Sequence, residues 1–445
     1  MVVVPIISPL GEVMHRCVDW LFVRHTLVLH GPRLCAGASA VDRFTEERAT
    51  MKFIQYRAPR LRTMFSYARG RGHLIPLLPL AASGRMANDE TAVVGHPVHI
   101  EQLAQFSTKF APYKASDTRE GPGALLPVRP DDVYEKISQV FIGPEALQAA
   151  VEVGRAIRSW KPDIVFCDEV DFGAMCAAEL EGIPYVVVGV FATVSQSWRE
   201  RHYAALQRFR TALNLAEDPA LTMLNGAAVI LPFPECMRNG REFNTKVLRM
   251  RPEWFPGERA SESARWLRGR SGTIRIYVTF GTEFNTRTGN LFRRIVSALD
   301  GMNVSVLVTT GPRVEPEDIV DNDGNNWLRV EKDIPQAEIL KSVDLVICHA
   351  GSGTLVGALA HGVPLLMFPL GADQVPNARW IEESGCGASL NAESATDEEI
   401  RQCVLRIVFS DSVRRASQEV KESIHVLKPA DEVYREVVEM CVYRQ

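Results

Sequence analysis

The sequence predicts an α/β chain made of two parallel-sheet units that face each other across a cleft. Three observations predict it. Short apolar runs of strand length alternate with amphipathic stretches of helical length along most of the chain. Several of those runs end in small-residue turns, such as those at Gly182, Gly281 and Gly351. The alternation lapses in a stretch holding Pro232, Pro234, Pro252 and Pro256, and it restarts at Arg275.

The 445 residues are enough for two domains with ample core. Lys plus Arg is 50 and Asp plus Glu is 54, so charge gives no case for nucleic acid or an anionic membrane as partner. The nine cysteines are scattered without CxxC spacing, which fits reduced thiols and a cytoplasmic protein. No apolar run reaches the roughly 18 residues of a membrane span. Residues 1–61 are read as an N-terminal extension of unknown order, too broken in its apolar run for a good signal peptide.

The first unit is placed at 62–250. Thr63–Tyr67 reads as a strand, Ala68–His73 as a turn and Leu74–Ala82 as a helix whose first turn tolerates Pro76. His73 then sits where a strand feeds a helix, the place where open α/β sheets put ligand groups. A catalytic and a structural histidine both fit there. Thr91–Val94 is a second strand, and 101–135, rich in Pro, Gly and charge, reads as loop and short helix. Ile137–Trp160 is helical, Ile164–Cys167 a buried strand, Ala174–Leu180 a helix and Tyr185–Val188 a strand. Asp168, Glu169 and Asp171 follow the buried strand, where each also suits a turn or a helix cap. Trp198–Leu213 is a charged amphipathic helix, and 251–270 is the linker.

The second unit is placed at 271–428. Arg275–Phe280 and Val304–Thr309 are strands, with a helix Leu291–Leu299 between them. The central stretch is the strand-length run Val343–Cys348, the turn His349-Ala350-Gly351-Ser352-Gly353-Thr354 and the helix that follows. A glycine turn from strand to helix gathers free backbone N–H groups and a positive helix end at one point, which suits a phosphate. The lysine loop of nucleotide hydrolases and the dinucleotide fingerprint are both absent. Helices at Asp397–Val408 and Ser412–Leu427 close the unit. Residues 429–445 form a C-terminal helix expected to pack back on the first unit.

Five pieces of the second half stand in order at family-like spacing: Val278-Thr279-Phe280-Gly281-Thr282, Ile334-Pro335-Gln336, the 349–354 turn, Ala358 to Pro364, and Asp373-Gln374 with Asn377. This half resembles the sugar-donor half of GT-B glycosyltransferases, more closely those of family 1 that decorate macrolides and other natural products. The first half resembles them more weakly, through Gly72-His73-Leu74-Ile75-Pro76, Pro162-Asp163 to Asp168, and Gly182-Ile183-Pro184. The resemblance implies two Rossmann-like domains and transfer of a sugar, with inversion, from a dTDP- or UDP-sugar to a hydroxyl of a small lipophilic acceptor. It implies His73 as general base with Asp168 as its partner. Gly281, Thr282 and Gly351, Ser352, Gly353, Thr354 would hold the diphosphate, and His349 would donate to it. Asp373 and Gln374 would hold sugar hydroxyls, with Ile334 and Gln336 along the base. Phe191 and Trp198 suggest an acceptor wall, and they are equally plain core residues.

Two positions depart from the plant relatives. Asp333 and Ile334 stand where those place a base-stacking tryptophan, and Gly357 stands where they place a ribose-binding glutamate. The Asp321-Asn322-Asp323 run looks like the metal motif of another glycosyltransferase fold, but it lies in a polar stretch that reads as a surface turn. No metal or other cofactor is expected beyond the nucleotide-sugar co-substrate, and the protein is expected to be a monomer or homodimer. A nucleotide-sugar 2-epimerase and a non-catalytic auxiliary partner are the competing readings.

Overall fold

The computed structural model describes residues 60–68, 70–96, 106, 109–112, 138–194, 198–254, 262–282, 288–319 and 326–443. Residues 1–59, most of 101–135 and Asp321–Asp323 lie outside them, and so do the readings made there. Residues from Leu61 onward form one compact unit.

That unit holds two all-parallel sheets. In the first, β1 (Arg62–Ser66), β2 (Glu90–Gly95) and β3 (Lys109–Pro112) step outward to one side. β4 (Ile164–Asp168), β5 (Tyr185–Val188), β6 (Ala228–Leu231) and β7 (Val247–Arg249) step outward to the other. The order is β3-β2-β1-β4-β5-β6-β7. In the second sheet β8 (Ile274–Thr279), β9 (Val304–Thr309) and β10 (Leu328–Glu331) lie to one side. β11 (Leu345–Cys348), β12 (Leu365–Met367) and β13 (Gly387–Ser389) lie to the other, giving β10-β9-β8-β11-β12-β13. Each sheet therefore reverses direction once, between β1 and β4 and between β8 and β11. A crevice opens at the carboxyl ends of the strands flanking such a reversal.

Alternate residues of each strand enter different apolar layers, as the period of two requires. On β4, Ile164 and Phe166 pack with Phe65, Leu77 and Tyr434, while Val165 and Cys167 face a second cluster with Val153, Ile157 and Met175. The outer face of the second sheet packs on the helices Leu291–Leu299 and Asp397–Val408. Thr396 and Glu399 close the latter's N-terminus as a capping box. The C-terminal helix Ala430–Val438 lies against the first sheet's layer: Tyr434 stacks on Phe166 at 5.8 Å, and its hydroxyl donates to Asp89 at 2.9 Å. The described cysteines are free thiols, buried except for Cys236.

Several elements differ from the reading above. Helix begins at Gly70, so His73 lies inside a short helix Gly70–Leu74 rather than in a turn. Pro76 then sits in a 3₁₀ turn Ile75–Leu77 before the helix Leu78–Met86, because proline cannot continue the α-helical ladder. The long helix breaks at Gly143, whose extended backbone starts a new helix Pro144–Trp160 with proline at its first position. The 101–135 stretch contributes the edge strand β3, and 251–270 contributes a helix Glu262–Arg268. That helix packs into the second half, with Leu267 buried and the Ser263 hydroxyl donating to Glu331 on β10.

Candidate active site

The crevice between β1 and β4 holds His73 and Asp168. Asp168 is the last residue of β4 and is fully buried. Its Oδ2 accepts from the Ala68 N–H at 2.7 Å and its Oδ1 from the Val170 N–H at 2.9 Å. The short helix after β1 brings His73 Nδ1 to 3.4 Å from Asp168 Oδ1. Phe141 lies 5.3 Å from the imidazole, and Phe191 meets it edge-on at 6.2 Å. A carboxylate fixed by backbone on one side of an imidazole, with aromatic walls on the other, can hold one tautomer and steady a proton taken up by the ring. Trp198 instead stacks on His202 at 4.7 Å and lies 6.0 Å from Phe172, so its ring serves the packing of its own helix.

Glu169 and Asp171 do different work. Asp171 caps the helix Phe172–Leu180 by accepting from the Ala174 N–H at 3.0 Å, and it takes the Ser66 hydroxyl at 2.6 Å. Burial first, then the neighbouring Asp168, raise its carboxyl to about 7. Glu169 is neither cap nor turn group. It forms a buried ion pair with Arg238 at 2.8 Å, a partner 69 residues away that local pattern could not supply.

The crevice between β8 and β11 holds the glycine turns. Gly281 follows β8 with φ +70, and His349 follows β11. The His349 ring lies between two glycines: a Cβ on Gly281 would stand 2.9 Å from its Cε1, and one on Gly351 2.5 Å from its Nε2. Burial pushes this imidazole down to about 4, against a hydrogen bond to the Thr279 backbone. It is therefore a neutral hydrogen-bonding group near neutral pH rather than a cation. The left-handed residue of the turn is Ala350, at φ +65, while Gly351 has φ −65 and precedes the helix Ser352–Ala360. Gly351 is required by the approach of His349, not by its backbone angle. The first intrahelical bond is from Leu355 N–H to Gly351 C=O, which leaves the amides of Ser352, Gly353 and Thr354 pointing from the helix start. A Cβ on exposed Gly353 would meet nothing within 4 Å.

The polar side chains around this turn are tied together. The Ser352 hydroxyl donates to Asp373 Oδ2 and accepts from Asn377 Nδ2 at 3.1 Å. Asn377, fully buried, also donates to Asp373 Oδ2 at 2.8 Å and to the Ala350 carbonyl at 2.9 Å. In this arrangement the turn offers an anion its amides rather than the Ser352 hydroxyl. Gln374 is buried, with Oε1 accepting from Leu370 and Gly371 N–H at 2.6 and 3.1 Å, so its oxygen shapes the loop before it. Gln336 donates to the Thr354 hydroxyl at 3.1 Å, Ile334 is buried, and the Thr282 carbonyl accepts from Arg313 at 2.7 Å. Asn377, which the sequence motif leaves without a role, organises the turn. Its spacing of four from Asp373 on one helix face was the available signal.

The two crevices face each other. Ala192 N–H, just after β5, donates to Ser352 Oγ at 2.7 Å, and the Thr193 hydroxyl donates to Asn377 Oδ1 at 2.7 Å. Arg71 reaches Asp333 at 3.3 Å. Burial raises the Asp373 carboxyl, opposed by its bonds to Ser352 and Asn377 and by His73 across the gap. The histidine of one half is thus within electrostatic reach of the glycine turn of the other.

Residues 298–442 match the family model described as "Erythromycin biosynthesis protein CIII-like, C-terminal domain". The chain is 23% identical over 376 residues to the oleandomycin glycosyltransferase of Streptomyces antibioticus, covering 80% of this chain and 85% of that one. It is 22% identical over 425 residues to the 3-alpha-mycarosylerythronolide B desosaminyl transferase of Saccharopolyspora erythraea, covering 86% and 97%. The structure of the glycosyltransferase VinC in complex with DTDP superposes with a TM-score of 0.68 at 20% identity, over 86% of this chain and 99% of that one. Two parallel sheets with facing crevices give the chain the GT-B fold, and the enzymes it is similar to are glycosyltransferases of the natural-product type.

Proposed function

We propose that the protein moves a sugar from a nucleoside-diphosphate sugar to a hydroxyl of a small lipophilic acceptor, with inversion at the anomeric carbon. The observation that carries this reading is the His73–Asp168 pair, 3.4 Å apart, facing the glycine turn at the start of the helix Ser352–Ala360. The amides of that turn, with Gly281 and Thr282 beside them, receive the diphosphate. The neutral His349 hydrogen-bonds the phosphate as charge builds on the leaving group. His73 takes the acceptor proton while the oxygen attacks the anomeric carbon, and the diphosphate leaves from the opposite face. One displacement inverts the centre. The leaving group is already good, so the paired acid and nucleophile of glycosidases are not needed.

In this reading Asp373 accepts from a sugar hydroxyl through Oδ1, a role that the engagement of Oδ2 by Ser352 and Asn377 supports. Phe141 and Phe191 give the acceptor an apolar wall beside His73. The nucleotide is read as thymidine or uridine diphosphate, and the relative solved with DTDP supports the former. No metal is assigned a part, because helix-end amides and a neutral imidazole can meet the diphosphate.

The test is incubation with UDP-glucose or dTDP-glucose and the phenolic probe 4-methylumbelliferone, with the product's anomeric configuration read by NMR. A β-glucoside from these α-linked donors supports the reading. An α-glucoside would overturn the single displacement.

A further inference from the structure

Asp168, the last residue of β4, and Glu169 just after it are adjacent carboxylates that serve different partners. Asp168 accepts from the Ala68 N–H ahead of the short helix and faces the His73 imidazole. Glu169 is turned to the segment after β5: its Oε1 accepts from the Val190 and Phe191 N–H groups at 2.6 and 2.7 Å. Arg238 completes the grip. Its Nη1 donates to Glu169 Oε1 at 3.0 Å and to the Phe191 carbonyl at 2.9 Å, and its Nη2 donates to Glu169 Oε2 at 2.8 Å. Its Nε is fixed in turn by Glu242 Oε1 at 2.6 Å, and both Glu169 and Arg238 are buried. A two-pronged guanidinium–carboxylate pair sets direction as well as distance.

Phe191, Ala192 and Thr193 of that segment each meet the crevice. Phe191 lies edge-on to His73 at 6.2 Å. Ala192 N–H donates to Ser352 Oγ at 2.7 Å, and Thr193 donates to Asn377 at 2.7 Å. One short stretch therefore touches the base on its own half and the sugar-donor turn on the other. Transfer needs the base, the acceptor oxygen and the anomeric carbon in near-attack register, and small misplacements cost much rate.

We propose that the Glu169–Arg238 ion pair is a positioning device that sets the register between His73 and the 349–354 turn by fixing residues 190–193. Neither residue touches substrate; both act through Phe191, Ala192 and Thr193. This rests on the reading of His73 as base and of the turn as diphosphate site.

The test uses the full chain with Glu169→Gln, Arg238→Lys and Thr193→Val. The last lies outside the ion pair and removes only the hydroxyl bond to Asn377, so it stays informative where the buried variants fail to fold. For each, kcat for transfer to 4-methylumbelliferone from UDP-glucose or dTDP-glucose is measured beside the Kd for the matching nucleoside diphosphate. Positioning predicts that kcat falls roughly tenfold or more while the Kd stays within about threefold. A kcat at the wild-type value, or kcat and affinity lost in parallel, would overturn the proposal. His73→Ala separates the two levels: if it keeps transfer, the base reading fails; if it abolishes transfer while all three variants keep theirs, only the positioning role fails.

Discussion

The imidazole of His349 occupies the space that a side chain on Gly281 would need, with Cε1 2.9 Å from that Cβ position. Gly281 is also left-handed, at φ +70. Gly281→Ala must therefore strain the backbone and displace the ring together. The expected cost is about 1–3 kcal/mol of stability, with weaker nucleoside-diphosphate binding. Denaturant unfolding and calorimetric titration with UDP and dTDP check both; unchanged affinity would separate the His349 position from the diphosphate.

His349 also makes stability depend on pH. Its folded pKa of about 4 lies below the ordinary 6.5. Between these values the unfolded chain binds more protons, so stability present above 6.5 is lost as pH falls toward 4. The shift corresponds to about 3 kcal/mol. In His349→Gln the acid loss shrinks by that order. Urea unfolding at several pH values reads it, and an unaltered slope would show that the ring is not held neutral by burial.

Asp171 works in the opposite direction. Its carboxyl is raised from 3.8 to about 7, so the folded chain keeps a proton that the unfolded chain has shed. That contribution is complete below 3.8 and is lost as pH rises through about 7. Asp171→Asn stays neutral and can still cap Ala174 and meet Ser66. Relative to wild type it gains stability between pH 5 and pH 8, roughly the span of the unpaired proton. Thermal unfolding of both proteins at the two pH values measures the gain; a constant difference would contradict it.

Gly353 separates folding from binding. A Cβ there meets nothing within 4 Å, and the residue lies in the first turn of its helix. Gly353→Ala should fold at least as well, since alanine favours helix over glycine by about 0.5–1 kcal/mol. The added methyl stands beside the amides proposed to receive the diphosphate, so nucleotide affinity is expected to fall roughly tenfold, about 1.4 kcal/mol. A variant that binds as tightly as wild type would show that no ligand approaches the turn.

Much of the fold was legible where period and end signals agreed. Leu291–Leu299 and Asp397–Val408 were read to the residue, the first from its apolar face and the second from a helical pattern that Thr396 and Glu399 cap. The apolar run before His349 and its glycine turn gave the second crevice. β3 is Lys-Phe-Ala-Pro, with one aromatic residue and a closing proline, and β13 is Gly-Ala-Ser, so neither has the run of β-branched or aromatic residues that marks a strand. β6 is one apolar quartet between a turn and a proline stretch, too short for a period to show. At the site, the family resemblance implied His73 and Asp168, but the long-range pairing of Glu169 with Arg238 and the positive φ of Ala350 are products of tertiary packing. Nothing local in the sequence encodes them.

The proposed chemistry turns on His73, held by Asp168, removing the acceptor proton. The most direct measurement is transfer by His73→Ala with nucleoside-diphosphate affinity determined on the same preparation. Affinity should stay near wild type and kcat should fall by about 10²–10⁴-fold, the range for a lost general base. Unimpaired turnover would contradict it.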